Sequence, residues 1–155
     1  MLNLESYATP GAMPSSEAGR LASLLTLDER AGVDEVTLAR EVGEGLPTRA
    51  VTALIALLGR KRVVGPVIPE ATLRRLTKSR KPLPREHSER LYAINRVLDA
   101  TARAWHGDRA ATLAFLDRPH PLLAGQSPLD MARSSTAGAD AVLALIRRAE
   151  AGIAL

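Results

Sequence analysis

A chain with almost no aromatic side chains has to close its core with aliphatic ones, and here the main supply is leucine and alanine. Aromatic residues make up 3% of the 155 residues, against 46% for all hydrophobic types. Leucine and alanine are among the best helix formers. They recur at spacings of three and four rather than in alternation, the signature of buried helical stripes. An all-α fold of one domain or two small ones follows.

Punctuation places about eight or nine helices. The pattern starts near Glu17 and runs toward Arg30, with Leu21, Leu24, Leu25 and Ala31 to one side. Asp34 is placed to cap a helix over 34–42 that Gly43 would stop. Val51, Leu54, Ile55 and Leu58 form one stripe of a third helix ended by Gly59. Val63 to Ile68 has the β-branched look of a strand, but Pro66 argues for a turn or irregular helix instead. A short helix then runs from Pro69 to about Lys78. Beyond Pro82-Leu83-Pro84 the longest helix, about Arg85 to Trp105, turns Leu91, Ile94, Leu98 and Trp105 to one side. Gly107 ends it, and Asp108 caps a helix to Leu116. Ser127-Pro128-Leu129-Asp130 combines a hydroxyl cap, a first-turn proline and a first-turn acid. A last helix beginning at Thr136 or Gly138 points Val142, Leu145, Ile146 and Ala149 inward, and Gly152 closes it.

Several function classes lose support. With no cysteine there are no disulfides or thiolate metal sites. His87, His106 and His120 lack metal-ligand spacing, and no metal or cofactor is expected. No apolar run reaches membrane-spanning length, and the N-terminus lacks a basic start followed by an apolar stretch, so a cytoplasmic protein is expected. No glycine-rich phosphate loop occurs. Asp99, Asp108, Asp117, Asp130 and Asp140 fall at helix ends or on polar faces, and His120 lies in a loop between prolines, so no catalytic residue is assigned.

Charge is unevenly placed. Residues 60–85 hold nine basic residues and one acid, Glu70, for a charge of +8 against +4 for the whole chain. A basic patch on a near-neutral body is the footprint of nucleic-acid binding, although a solvated basic helix face has the same composition. A helix ending at Gly59, an interrupted segment and then a short basic helix form a helix-turn-helix pattern. In that pattern Thr72, Arg74, Arg75, Lys78, Arg80 and Lys81 would face DNA.

From Gly45 onward the chain resembles the Xre-type antitoxins of RES–Xre toxin–antitoxin modules, the family with the Xre/ParS toxin-binding domain. The resemblance rests on Ile68-Pro69-Glu70-Ala71-Thr72-Leu73-Arg74-Arg75, Leu83 and Ser88-Glu89-Arg90-Leu91 in the first part. In the second it rests on Pro119, Leu123-Ala124-Gly125, Pro128-Leu129-Asp130, Gly138, Val142 and Glu150-Ala151-Gly152. Two positions depart from the pattern: Pro69 has no side-chain oxygen with which to cap, and Gly65-Pro66 interrupts the first helix of the DNA-reading pair.

The resemblance implies a non-enzymatic antitoxin of a type II system. It would neutralise an NAD-consuming RES-domain toxin by covering its active site, and bind operator DNA as a homodimer within a larger toxin–antitoxin complex. It implies an N-terminal Xre/Cro-like helix-turn-helix region joined by a long helix to a C-terminal helical toxin-binding region. The chain then divides into a flexible tail over 1–18, a dimerisation and DNA-binding region over 19–105, and a toxin-binding region over 106–155. Arg147, Arg148, Glu150, Gly152, Ile153, Ala154 and Leu155 would meet the toxin, the apolar end and its carboxylate suiting a pocket for an anionic, aromatic cofactor. Ile153 and Leu155 packing on the last helix is the alternative for the tail. A stand-alone helix-turn-helix regulator is the alternative for the chain.

Overall fold

The computed structural model describes residues 2–27 and 32–152. Among them the fold is helical throughout: α1 (Glu17–Leu24), α2 (Glu35–Glu44), α3 (Thr48–Leu58), α4 (Arg60–Val63), α5 (Glu70–Ser79), α6 (Arg85–Ala104), α7 (Arg109–Asp117), α8 (Pro128–Ser134) and α9 (Thr136–Glu150). Short 3-10 turns cover Leu4–Tyr7 and Pro121–Leu123.

The caps read from the sequence are the caps observed. Asp34, Asp108 and Ser127 each accept the backbone N–H three residues on, at 2.8, 2.9 and 3.1 Å. Such bonds satisfy donors that the first helical turn leaves without a partner. Ser135 does the same for Gly138 at 2.9 Å, so α9 starts at Thr136. Gly59 ends α3 with φ at 90°. Gly43 does not stop α2: the helix runs on through Glu44, and Gly45, with φ at 116°, ends it instead. The first helix also ends earlier than expected, at Leu24; Arg30 and Ala31 lie outside the described residues.

The spine is α6, whose 20 residues span about 30 Å. Leu91, Ile94, Val97, Leu98 and Ala102 are buried along it. It is packed by α1 and α2 from the first part of the chain and by α7, α8 and α9 from the second. One continuous apolar core results, running from Leu21 and Leu54 to Leu129 and Val142. Each fully buried leucine or valine contributes about 1.5–3 kcal/mol. The same helix carries buried polar groups, and these are tied locally or across the core. Ser88 Oγ accepts from Leu46 N–H at 2.9 Å, and Thr101 Oγ1 donates to the Val97 carbonyl at 2.7 Å.

The segment expected as a flexible tail packs on this body. Leu4 is 2% exposed. Tyr7 Oη donates to Asp99 Oδ1 at 2.8 Å, and Arg20 grips both oxygens of the same carboxylate at 2.9 and 3.2 Å. Burial first, and the Asp99 carboxylate second, push the Tyr7 phenol above its ordinary range. The Leu4 carbonyl passes over Gly107, where φ is 77° and a Cβ would have no room. Four residues of 3-10 helix leave no periodic trace, so sequence pattern misses them.

Candidate functional site

Two surfaces stand out, one on each side of the spine in chain order. The first is α5. Pro69 precedes it and gives no side-chain cap, as its chemistry requires. Gly65 takes φ of 101°, its N–H bonding the Ile68 carbonyl at 2.8 Å, so Gly65-Pro66 reduces α4 to a single turn. Val63, Val67 and Ile68 nevertheless remain buried and hold this interrupted segment to the core. From α5 itself only Leu76 is buried, with Thr72 and Leu73 half-buried. Arg74, Arg75, Lys78, Arg80 and Lys81 are all exposed.

Ion pairing sorts the basic segment. Arg62 leaves it for a fork on Asp117, at 3.0 and 2.6 Å, and donates to the Leu58 carbonyl. That hydrogen bond holds the Asp117 carboxyl below the usual carboxylate range, and it fastens α4 to α7. Arg60 pairs with Glu70 at 2.6 Å, Arg74 reaches the same carboxylate at 3.8 Å, and Arg85 pairs with Glu89 at 3.0 Å. Among the described residues Lys61, Arg75, Lys78, Arg80 and Lys81 make no ion pair, so the free positive charge gathers toward the end of α5. Arg80 closes that helix in the left-handed region at φ 54°.

The second surface is built from α7, α8 and α9. Arg133 bonds Asp130 on its own helix and the Arg62 carbonyl at 2.9 Å, so α8 is anchored to α4. Gly138 lets α9 cross α8 closely: a Cβ there would meet the Met131 carbonyl group and stand 2.9 Å from Ser134 Oγ. Val142, Leu145 and Ile146 are buried as the periodicity predicts, but Ala149 is exposed, since the last turn of α9 has little to cover it. Arg147, Arg148 and Glu150 are exposed. Arg147 and Glu150 border a small polar cleft with Arg96, Arg103 and Glu17. Gly152 turns with φ at 75°, and Ile153, Ala154 and Leu155 lie outside the described residues.

A feature that sequence reasoning missed lies beside them. An apolar trough of about 430 Å³ runs between the end of α6, α7 and α9. Trp105 and Phe115 form its aromatic wall, their rings 4.7 Å apart and tilted by 33°. Ala104, Ala111, Ala114 and Ala149 keep the rest of the walls low. The recurrence of alanine where a helix could carry leucine was the available signal. His120, at the rim, uses Nδ1 to accept the Leu122 N–H at 3.1 Å and so caps its own turn. Among the described residues no cluster of histidines and carboxylates could hold a metal ion, and no helix is long and apolar enough to cross a membrane.

The second surface is also where likeness to known proteins falls. Residues 101–152 match the family model described as the antitoxin Xre/MbcA/ParS C-terminal toxin-binding domain. The match opens in the last turn of α6 and takes in α7, α8 and α9 whole, so the antitoxin resemblance seen in the sequence motifs is borne out over this third of the chain. A comparison with curated proteins finds no match.

Proposed function

We propose that this protein is the antitoxin of a type II toxin–antitoxin pair, acting in the cytoplasm by binding rather than by chemistry. The observation that carries the reading is the toxin-binding domain match over residues 101–152. The partner is a RES-domain toxin that consumes NAD. The end of α9 and the residues after it cover the toxin's active site, with Arg147, Arg148, Glu150, Gly152, Ile153, Ala154 and Leu155 as the contact set. The exposed charge on the last turn of α9 supports this, because charges set opposite a complementary patch steer association and fix register.

The protein also represses its own operon as a homodimer bound to operator DNA. Support comes from the exposed cations of α5. Thr72, Arg74, Arg75, Lys78, Arg80 and Lys81 are the contact set, Thr72 from its half-buried position nearest the helix start. Phosphate contacts of this kind make affinity fall steeply with salt, because each neutralised phosphate releases counterions.

Growth of cells co-expressing the protein encoded by the adjacent reading frame tests the first role. The full chain should protect. A chain lacking Glu150–Leu155, and separately Arg147→Glu with Arg148→Glu, should fold and bind operator DNA yet fail to protect. Protection undiminished by both changes would remove the end of the chain from the contact set, and toxicity unaffected by the full chain would refute the antitoxin reading. For the second role, Arg74→Ala with Arg75→Ala should weaken operator binding without unfolding. Normal repression by that variant would refute the α5 assignment.

A further inference from the structure

We propose that the apolar trough between α6, α7 and α9 is a second contact for the toxin, seating one aliphatic or aromatic side chain with a carboxylate beside it. The inference rests on the antitoxin reading above; the trough adjoins the end of α9 at Ala149 and adds a surface on α6 and α7 that the contact set does not include.

Three observations carry it. First, the lining residues, from Ala104 to Ala149, all fall inside the segment 101–152 that matches the toxin-binding domain. An apolar depression that the described residues leave open therefore lies within the part of the chain that matches a toxin-binding domain. Second, the chemistry of the wall is that of a seat for an anchor. Trp105 and Phe115 are half-buried and stacked on each other, so their outer faces and edges are preset rather than needing to be ordered on binding. Leu145 and Ile146 floor the trough, and the low alanine walls leave it open to a large side chain. Interfaces draw most of their affinity from a few such anchors sunk in dry pockets, and a volume of about 430 Å³ suits one large side chain with its immediate neighbours.

Third, the rim is cationic and continues apolar. Arg118 is exposed and makes no ion pair among the described residues. It stands at the edge of the trough with its guanidinium available to a carboxylate. Leu122, two residues beyond His120, is 53% exposed, one of two large hydrophobic side chains so placed among the described residues. The other, Val36, sits on α2, in the first part of the chain, at 78% exposure. The partner therefore presents an apolar residue with an Asp or Glu beside it.

The trough can be plugged without touching the core, because Ala114 and Ala149 are both exposed. Ala114→Trp and Ala149→Trp are compared with Val36→Trp, which adds the same ring to the first part of the chain. The probe is the protein encoded by the adjacent reading frame, catalytically inactivated, titrated against full-length antitoxin. Both plugged variants should melt like wild type and keep operator affinity but bind the probe at least tenfold more weakly. Val36→Trp should bind normally. Arg118→Glu, which leaves the apolar walls intact, should also weaken binding. Trp105 is the single tryptophan of the chain, so fluorotryptophan labelling gives one fluorine signal that should shift on adding the probe.

If wild type does not bind the probe, the antitoxin reading falls and the trough with it. If wild type binds and both plugged variants bind equally well, the trough inference alone is overturned. A plugged variant that does not fold leaves Arg118→Glu and the fluorine signal to decide, and no change in either overturns the proposal. If a chain lacking 153–155 and the plugged variants all melt earlier with unchanged probe affinity, the trough holds the chain's own end and the proposal is also overturned.

Discussion

Replacing a helical glycine with alanine ordinarily stabilises a protein, because alanine loses less backbone freedom on folding; the gain is about 0.5–1 kcal/mol. Two glycines here should give opposite signs. Gly43 lies within α2, and a Cβ built on it meets nothing within 4 Å. Gly138 lies in the first turn of α9, and its Cβ would collide with the Met131 carbonyl oxygen, with the carbonyl carbon and Ser134 Oγ both at 2.9 Å. Met131 contributes backbone, which cannot swing aside as a side-chain tip can, so α8 and α9 have to separate. Overpacking of this kind costs about 1–3 kcal/mol, and the propensity gain offsets at most about 1. A clash with fixed backbone belongs in the upper part of that range, about 2–3 kcal/mol, so Gly138→Ala should destabilise by about 1–2 kcal/mol net, a fall of about 2–8 °C in Tm for a chain of this length. Gly43→Ala should raise stability by about 0.5 kcal/mol. Urea unfolding followed by circular dichroism, with a shared m-value, reads both. A Gly138→Ala protein as stable as wild type would refute the close crossing of α8 and α9, and with it the reason for glycine at that position.

Asp99→Ala strands the Arg20 guanidinium in the core and should cost about 3–5 kcal/mol in urea unfolding, whereas Arg20→Met with Asp99→Leu should recover most of the loss. The Tyr7 phenol, held above its ordinary value, keeps its proton when folded; its stabilisation is complete below about pH 10 and is lost as the pH rises further. Tyr7→Phe should therefore flatten the alkaline limb of a stability–pH profile, and an unchanged limb would place the effect elsewhere. Ser127→Ala removes the bond to Asp130 N–H and should cost about 1 kcal/mol, measured by thermal melting.

Helix ends were legible because they are written locally: Asp34, Asp108 and Ser127 cap within three residues of themselves, and Gly59 turns where it stands. The α8 start needed no knowledge of its neighbours. What escaped was written at long range. Tyr7 and Asp99 are 92 residues apart, and nothing about either alone announces the other. Gly43 looked like a stop because glycine often is one, yet the cost of keeping it helical is only about 1 kcal/mol and α2 absorbs it. Ala149 had the right phase to face inward. Its neighbour α6 ends at Ala104, so there is little helix left for it to face. The exposed cations of α5 could be named in advance, but not that Arg62 would be withdrawn to Asp117, since that partner lies 55 residues away. The trough is defined by what four alanines leave out, and their recurrence shows where side chains are small but not that three separate elements bring those positions to one place.

The sharing of α6 has a practical consequence for anyone who wants to recombine such proteins. A cut at the start of the matched segment, residue 101, severs the helix on which that segment's own helices rest, since α7, α8 and α9 all pack along it. Expressed from that point, the piece would present Leu129, Val142 and Ile146 to water and aggregate. A chimera that joins the matched segment to a different N-terminal part would have to carry the whole of α6, and that part would have to accept its Leu91–Leu98 stripe. Under the proposed function, toxin specificity and operator specificity would therefore not be freely interchangeable parts. Change in one is constrained by a surface inherited from the other.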